Sequence, residues 1–416
     1  MDKLEICGGR PLHGKINISG AKNAALPALF ACLLTEEPCH LTNVPQLRDI
    51  HSALAVLRAM GVHCETNDGS LKIQAAKLHT HEAPYTLVKT MRASILALGP
   101  LLARFGQAIV SLPGGFAIGA RPVNAHIEGL TRMGATIEVK DGNIVANAER
   151  LRGAHLVLPM PTVTGTENLM MAAALADGET IIENAAREPE ITDLAIFLNS
   201  MGANITGLNS NLLRIRGTKK LSGASHTVVS DRIEAGTYLC ATAACGGDVE
   251  LVGANAEHLQ NLLNKLETAG ATLAPSSNNI RIVMSSRPQA TDAETAPYPG
   301  FPTDLQAQWM AVNSVADGTA IIVENVFENR FMHAPELTRM GANIELKRNT
   351  AIVRGVDILK GAPLMATDLR ASASLVIAGL AAQDTTLIDR VYHLDRGYER
   401  MEHKLSVLGA KTRRCG

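Results

Sequence analysis

The decapeptide LTRMGATIEV at residues 130–139 returns, with two changes, as LTRMGANIEL at 337–346. Each reads as the end of a helix, a glycine, and the start of a strand. Four looser copies keep that order: LRAMGVHCE at 57–65, LNSMGANITG at 198–207, LETAGATLAP at 266–275 and LSVLGAKTRR at 405–414. Their glycines are Gly61, Gly134, Gly202, Gly270, Gly341 and Gly409, spaced 73, 68, 68, 71 and 68 residues apart. A fixed period along a whole chain signals a repeated architectural unit. The segments before the glycines are amphipathic. Leu259, Leu262, Leu263 and Leu266 form one stripe at i, i+3, i+4 and i+7, and Leu194, Phe197, Leu198 and Met201 form another. Each glycine is predicted to take the left-handed conformation that ends a helix.

Upstream in every unit lies a second, more apolar segment, such as ASILALGPLLARFGQAIVSL at 93–112 and QAQWMAVNSVADGTAIIVENV at 306–326. Apolar residues fall on nearly all sides of these helices, so they belong in a core. Each unit therefore reads as helix–strand–helix–strand. Six α/β (α+β) units, packed as two groups of three, fit 416 residues. A solenoid is the competing arrangement, but its repeats are usually shorter than about 50 residues.

The composition is that of a soluble globular chain, 46% hydrophobic and 19% charged, with a formal net charge of −1. That balance argues against a scaffold that holds nucleic acid by cationic excess. Aromatics are only 3%, so the core must be aliphatic. Seven cysteines, with no C-x-x-C pair, fit reduced thiols better than a disulfide framework. With no signal-like start and no apolar run of membrane-spanning length, a cytoplasmic protein is expected. His79, His81 and Glu82 read as a solvated loop rather than a metal site, Cys240 and Cys245 as small core residues, and Trp309 as helix core.

The starts of the apolar helices carry the charge. They read SGAKN at 19–23, KTMRAS at 89–94, TGTEN at 164–168, SDRIEAG at 230–236, PTDLQAQ at 302–308 and ATDLRAS at 366–372. Equivalent points of a repeat fall at equivalent points of a pseudo-symmetric fold, so these N-termini are expected to converge within each group of three. Capping accounts for the Thr and Asp. It does not account for Lys22, Arg92, Arg232 and Arg370, since a cation is unfavourable beside the positive end of a helix. Cations and helix N-termini together predict an anion-binding cleft.

With these residues in view, nine segments in order resemble the UDP-N-acetylglucosamine 1-carboxyvinyltransferase family of enolpyruvyl transferases. They are SGAKNAALP (19–27), VKTMRASIL (88–96), PGGFAIGARPV (113–123), TVTGTENLM (162–170), NAAREPEI (184–191), GFPTDLQAQ (300–308), VFENRFMH (326–333), ATDLRASASL (366–375) and DRGYER (395–400). The resemblance implies a two-domain inside-out α/β barrel with three repeats per domain. It divides the chain into a first lobe at 20–228 and a second at 1–19 plus 229–416, with the active site in the cleft between them. It implies the substrates phosphoenolpyruvate and UDP-N-acetylglucosamine, an enolpyruvyl ether at the sugar 3-hydroxyl and released phosphate, as in the first step of peptidoglycan precursor synthesis. No metal, cofactor or protein partner is implied.

The implied roles follow the motifs. Lys22 and Asn23 match the phosphoenolpyruvate-binding pair, and Arg121 and Arg396 match arginines on its anionic groups, with Arg330 and Arg370 assisting. Asp304 matches the carboxylate near the sugar 3-hydroxyl, a general base. Arg92, Arg121, Pro122, Val123, Asn124, Ala125, Met160, Pro161, Thr162, Val163, Asp304 and Val326 match contacts to the nucleotide sugar. Asn124 stands where relatives often carry an acid. Phe116 stands where the family carries a cysteine or an aspartate that serves as proton donor, and a phenyl ring cannot give a proton. Three readings stay open: an active transferase in which Lys22 or water gives the proton, a UDP-N-acetylglucosamine-binding paralogue without turnover, and a site substitution that traps a bound state. A shikimate 3-phosphate acceptor is disfavoured by the lack of an Asn-Ala-Gly-Thr run before Met91.

Overall fold

The computed structural model describes residues 2–84, 87, 92–112 and 123–416, with Arg92 described by its backbone alone. Among these, six sheets of four strands recur with one plan. In each, a short edge strand runs parallel to a central strand, which pairs antiparallel with a third, which pairs antiparallel with the fourth. The sheet of Ala293–Glu294, Thr319–Val323, Thr350–Arg354 and Asn343–Lys347 shows it plainly. The central strand buries Ala320 and Ile322 and exposes Thr319 and Ile321, the period-two alternation of a half-buried strand.

The expected helix–strand–helix–strand unit was two strands short. After five of the six glycines the returning strand turns back on itself, as Thr136–Lys140 does with Asn143–Asn147, and after Gly409 Lys411–Cys415 pairs instead with Lys3–Cys7. The edge strands are only two to six residues long, too short to show a period. The six glycines do lie where predicted, with φ between +88° and +102°.

Two compact units result. One holds residues 2–19 and 230–416, the other the described residues between 20 and 229. Within the first, the apolar helices Arg232–Cys245, Gln306–Ser314 and Leu369–Ala381 pack on one another as a core, with sheets outside them. Its largest buried side chains are Trp309, Tyr238, Tyr398 and Phe301. Cys240 is buried with them and Cys245 half-buried. Residues 3–7 and 12–17 complete two of this unit's sheets. Lys3–Cys7 lies between Thr385–Asp389 and Lys411–Cys415, and Leu12–Asn17 runs parallel to Gly247–Val252. In the second unit the core helices are Lys22–Ala31, Leu98–Phe105 and Val163–Ala173. Ser225–Thr227 closes it by pairing with Cys39–Thr42.

All seven cysteines are unpaired. His81 stacks on Phe105 and bonds Gln107, and among the described residues no group of His, Cys, Asp or Glu could hold a metal ion. Among them, too, no helix is long and apolar enough to cross a membrane.

Candidate active site

In the unit of residues 2–19 and 230–416 the starts of two apolar helices, Gln306–Ser314 and Leu369–Ala381, meet at Asp304. This residue lies in the turn Thr303–Leu305 that leads into Gln306–Ser314. The positive end of the helix favours its ionised form. Arg330 Nη2 donates to Asp304 Oδ1 at 2.6 Å. Arg370, in the first turn of Leu369–Ala381, donates from Nε and Nη2 to Asp304 Oδ2 at 3.1 and 2.8 Å. Burial by itself raises the Asp304 pKa, but the two guanidiniums outweigh it and hold the carboxyl well below the usual carboxylate range. Two cations face this one carboxylate, and Asp231 is a further acid acting on Arg370. Arg330 and Arg370 are 7% and 4% exposed, so little water screens them.

Each arginine is aimed by a polar chain behind it. Thr303 Oγ1 accepts from Arg330 Nη1 at 2.8 Å and donates to Glu324 Oε2 at 2.8 Å. The other Glu324 oxygen accepts from the backbone N–H of Val326 and Phe327 at 2.8 and 3.1 Å, which shapes the loop that bears Val326. Phe327 lies under the Arg330 guanidinium, 5.0 Å from carbon to ring centre. Arg370 Nη1 donates to the Tyr398 hydroxyl at 3.2 Å. His333, buried beside Asp368 and Arg330, is pushed down to about 4, first by burial and then by Arg330, and stays neutral. Asp368 and Asp231 cap their helices: Asp368 accepts from the N–H of Arg370 and Ala371, Asp231 from those of Ile233 and Glu234. Arg396 closes the turn Val391–Arg396; burial and then its charge lower the pKa of His393.

The other unit holds Lys22, Asn23, the backbone of Arg92, and Val123–Ala125 and Met160–Val163. Lys22 opens the helix Lys22–Ala31, and its Nζ is 3.3 Å from Asp49 Oδ2, both side chains largely buried. Asn23 follows it, half-buried. Thr162 caps Val163–Ala173 by accepting from the Gly165 N–H at 3.3 Å, with Met160 exposed and Pro161 and Val163 half-buried beside it. Asn124 and Ala125 open Asn124–Arg132 after Val123. Asn168, one turn into its helix, bonds the Gly99 N–H, the Ile95 carbonyl and His126, and so joins three elements of this unit. Phe116, Arg121 and Pro122 lie outside the described residues, as does the side chain of Arg92.

The sequence reading named Asp304, Arg330 and Arg370 but gave no role to Thr237, Thr303, Gln308, Glu324 and Tyr398 behind them. Two signals were there to find. Gln308 is an amide near the start of a largely apolar helix, and Glu324 is an acid directly after the strand Thr319–Val323. Fully buried polar side chains of this kind need partners.

The profile of the EPSP synthase (3-phosphoshikimate 1-carboxyvinyltransferase) family matches residues 6–405. The enolpyruvyl transferase NikO from Streptomyces tendae is 24% identical, with 99% of this chain and 98% of that one aligned and a TM-score of 0.90. Two structures of EPSP synthase from Acinetobacter baumannii also match. One is 18% identical over 100% of both chains, with a TM-score of 0.78. The other is 19% identical over 93% of this chain and 94% of that one, with a TM-score of 0.71. These three likenesses show the inside-out α/β fold. With repeats, core helices and an arginine-held carboxylate set out, and a profile match over nearly the whole length, the chain belongs to the EPSP synthase family of enolpyruvyl transferases.

Proposed function

We propose that the protein transfers the enolpyruvyl group of phosphoenolpyruvate to the 3-hydroxyl of UDP-N-acetylglucosamine and releases phosphate. Asp304 held between two buried guanidiniums is the observation that carries the reading. A phosphate and a carboxylate on the donor suit Arg330 and Arg370, because a guanidinium binds either anion in bidentate fashion. The choice of acceptor rests on the motifs at 113–123, 162–170 and 184–191.

The reaction is an addition and an elimination. A proton goes to C-3 of phosphoenolpyruvate from Lys22 or a water it holds, and the acceptor oxygen bonds C-2. Asp304 takes the hydroxyl proton. The bond from C-2 to the phosphate oxygen then breaks, C-3 returns a proton to Lys22 or its water, Asp304 passes the hydroxyl proton to the departing phosphate, and the enol ether and phosphate remain. A carboxylate with both oxygens on arginines is a weak base. In this reading the donor's anionic groups draw on those arginines, and Asp304 gains basicity as they do.

Phe116 supports a second reading, a protein that binds both substrates and turns over slowly or not at all. Phosphate release is to be measured with phosphoenolpyruvate and UDP-N-acetylglucosamine, with shikimate 3-phosphate as a parallel acceptor, for the protein and for Phe116→Cys. Release with the nucleotide sugar supports the proposal. Release only after Phe116→Cys supports the second reading. Release with shikimate 3-phosphate alone overturns the choice of acceptor, and none in any arm overturns the transfer.

A further inference from the structure

We propose that Tyr398 is a positioning residue whose hydroxyl, turned by Thr237, holds Arg370 flat against Asp304. The inference rests on the function proposed above and adds a residue to it. Tyr398 follows the turn that bears Arg396 and is 2% exposed. Its hydroxyl is 3.2 Å from Arg370 Nη1, 2.9 Å from Thr237 Oγ1 and 3.1 Å from Gln308 Nε2.

The protons in this cluster can be assigned by counting. Thr237 donates to the Ile233 carbonyl at 2.8 Å, which uses its one proton. The contact between Thr237 and Tyr398 must then be made by the tyrosine proton. With that proton committed, Tyr398 offers only lone pairs to Arg370. Gln308 Nε2 reinforces the arrangement: it donates to the Asp304 carbonyl at 2.9 Å and reaches both hydroxyls at 3.1 Å. A threonine on one core helix thereby sets which way a tyrosine faces an arginine on another. The ring also lies beside the guanidinium, 5.5 Å from carbon to centroid. Held at Nη1, Arg370 has Nε and Nη2 left to grip Asp304 Oδ2 as a pair.

Arg370 is faced by Asp304, Tyr398 and Asp231, Asp304 by Arg330 and Arg370, and Tyr398 by Arg370 and Asp231, with Tyr238 nearby. A loosened Arg370 gives Asp304 less positive charge, so its carboxyl pKa rises and the acidic limb of the rate profile moves to higher pH. Substrate ionisation is the same for every variant and cancels in the comparison.

The test uses Tyr398→Phe, Thr237→Val and Thr237→Ser in the full chain. Tyr398→Phe keeps the buried ring and removes one oxygen. It is expected to lower kcat/KM for phosphoenolpyruvate about 10- to 100-fold, the scale of a misplaced catalytic group, and to move the acidic limb upward. Thr237→Val, which touches neither Arg370 nor Asp304, is expected to do the same, because it frees the tyrosine proton to face the arginine. Thr237→Ser is expected to match wild type. An unmoved acidic limb in both Tyr398→Phe and Thr237→Val overturns the proposal. If wild type releases no phosphate with any acceptor, the proposed function fails instead. The positioning claim is then read from a double-mutant cycle of Tyr398→Phe and Asp304→Asn in urea unfolding. Coupling of about tenfold in the unfolding constant supports it, and additive effects overturn it.

Discussion

Asp304→Asn tests the electrostatic argument most directly, and its effect on stability can be worked out without reference to turnover. The wild-type carboxylate neutralises part of the charge of two guanidiniums that are nearly out of water. At an effective dielectric constant near 20, each contact is worth roughly 4 kcal/mol before desolvation is subtracted. Breaking a buried pair costs about 3–5 kcal/mol, because the stranded charge stays buried. The Asp304 side chain is 25% exposed, which moves the expectation to the low end, about 3 kcal/mol. Asparagine can still accept from one arginine, but its amide N–H then opposes the other, donor against donor.

The pH dependence gives a second handle on the same variant. The folded-state pKa of Asp304 lies below its unfolded value, so its contribution is present above the unfolded value near 4 and is lost as pH falls through the folded one. Urea unfolding of wild type and Asp304→Asn should therefore differ by a constant amount between about pH 5 and pH 8 and converge below about pH 4. A difference under about 1 kcal/mol at pH 7, or one that widens on acidification, would refute the reasoning.

Three further outcomes are expected. Lys404→Met strands Glu234, which accepts from Lys404 Nζ at 2.7 Å and is already raised in pKa, by burial first. It should cost about 3 kcal/mol at pH 8 and less at pH 5, where the carboxyl protonates more readily, as urea melts at the two values will show. Gly134→Ala meets no atom within 4 Å and should cost only its left-handed backbone, about 1 kcal/mol, whereas Gly61→Ala also drives a methyl to 2.8 Å from His79 and should cost more; thermal unfolding ranks them. Fosfomycin, an epoxide opened by a thiolate, should leave the protein's mass unchanged but alkylate Phe116→Cys; an adduct on residues 111–122 of the wild type would contradict the reading of that position.

The sequence foretold the repeat because its markers are local. A glycine after a helix and an i, i+3, i+4, i+7 stripe are fixed by neighbours within a few residues. The parallel edge strands were not legible, since Glu82–Ala83 and Ala293–Glu294 are held by partners about 27 residues away and by nothing in their own composition. The candidate site divides in the same way. Asp304 and Arg370 could be named because each stands in a charged motif at the start of an apolar helix. That both arginines spend their donors on one carboxylate depends on side-chain reach across elements up to 66 residues apart. Thr237 and Gln308 were missed because, within largely apolar helices, they look like ordinary core polar residues until their partners are seen.

The pairing of residues 3–17 with strands far along the chain bears on synthesis. The unit of described residues between 20 and 229 builds its sheets from its own strands alone, so it has all the strands it needs to fold while the rest is still being made. The other unit has no such independence. Its first strands leave the ribosome earliest, yet Leu12–Asn17 must wait for Gly247–Val252, and Lys3–Cys7 for Thr385–Asp389 and Lys411–Cys415. For most of translation these two strands are unpaired and exposed to association with other chains. A nascent chain stalled after about residue 240 should thus carry one finished unit and a pair of orphan strands, the state in which a holding chaperone has most to bind.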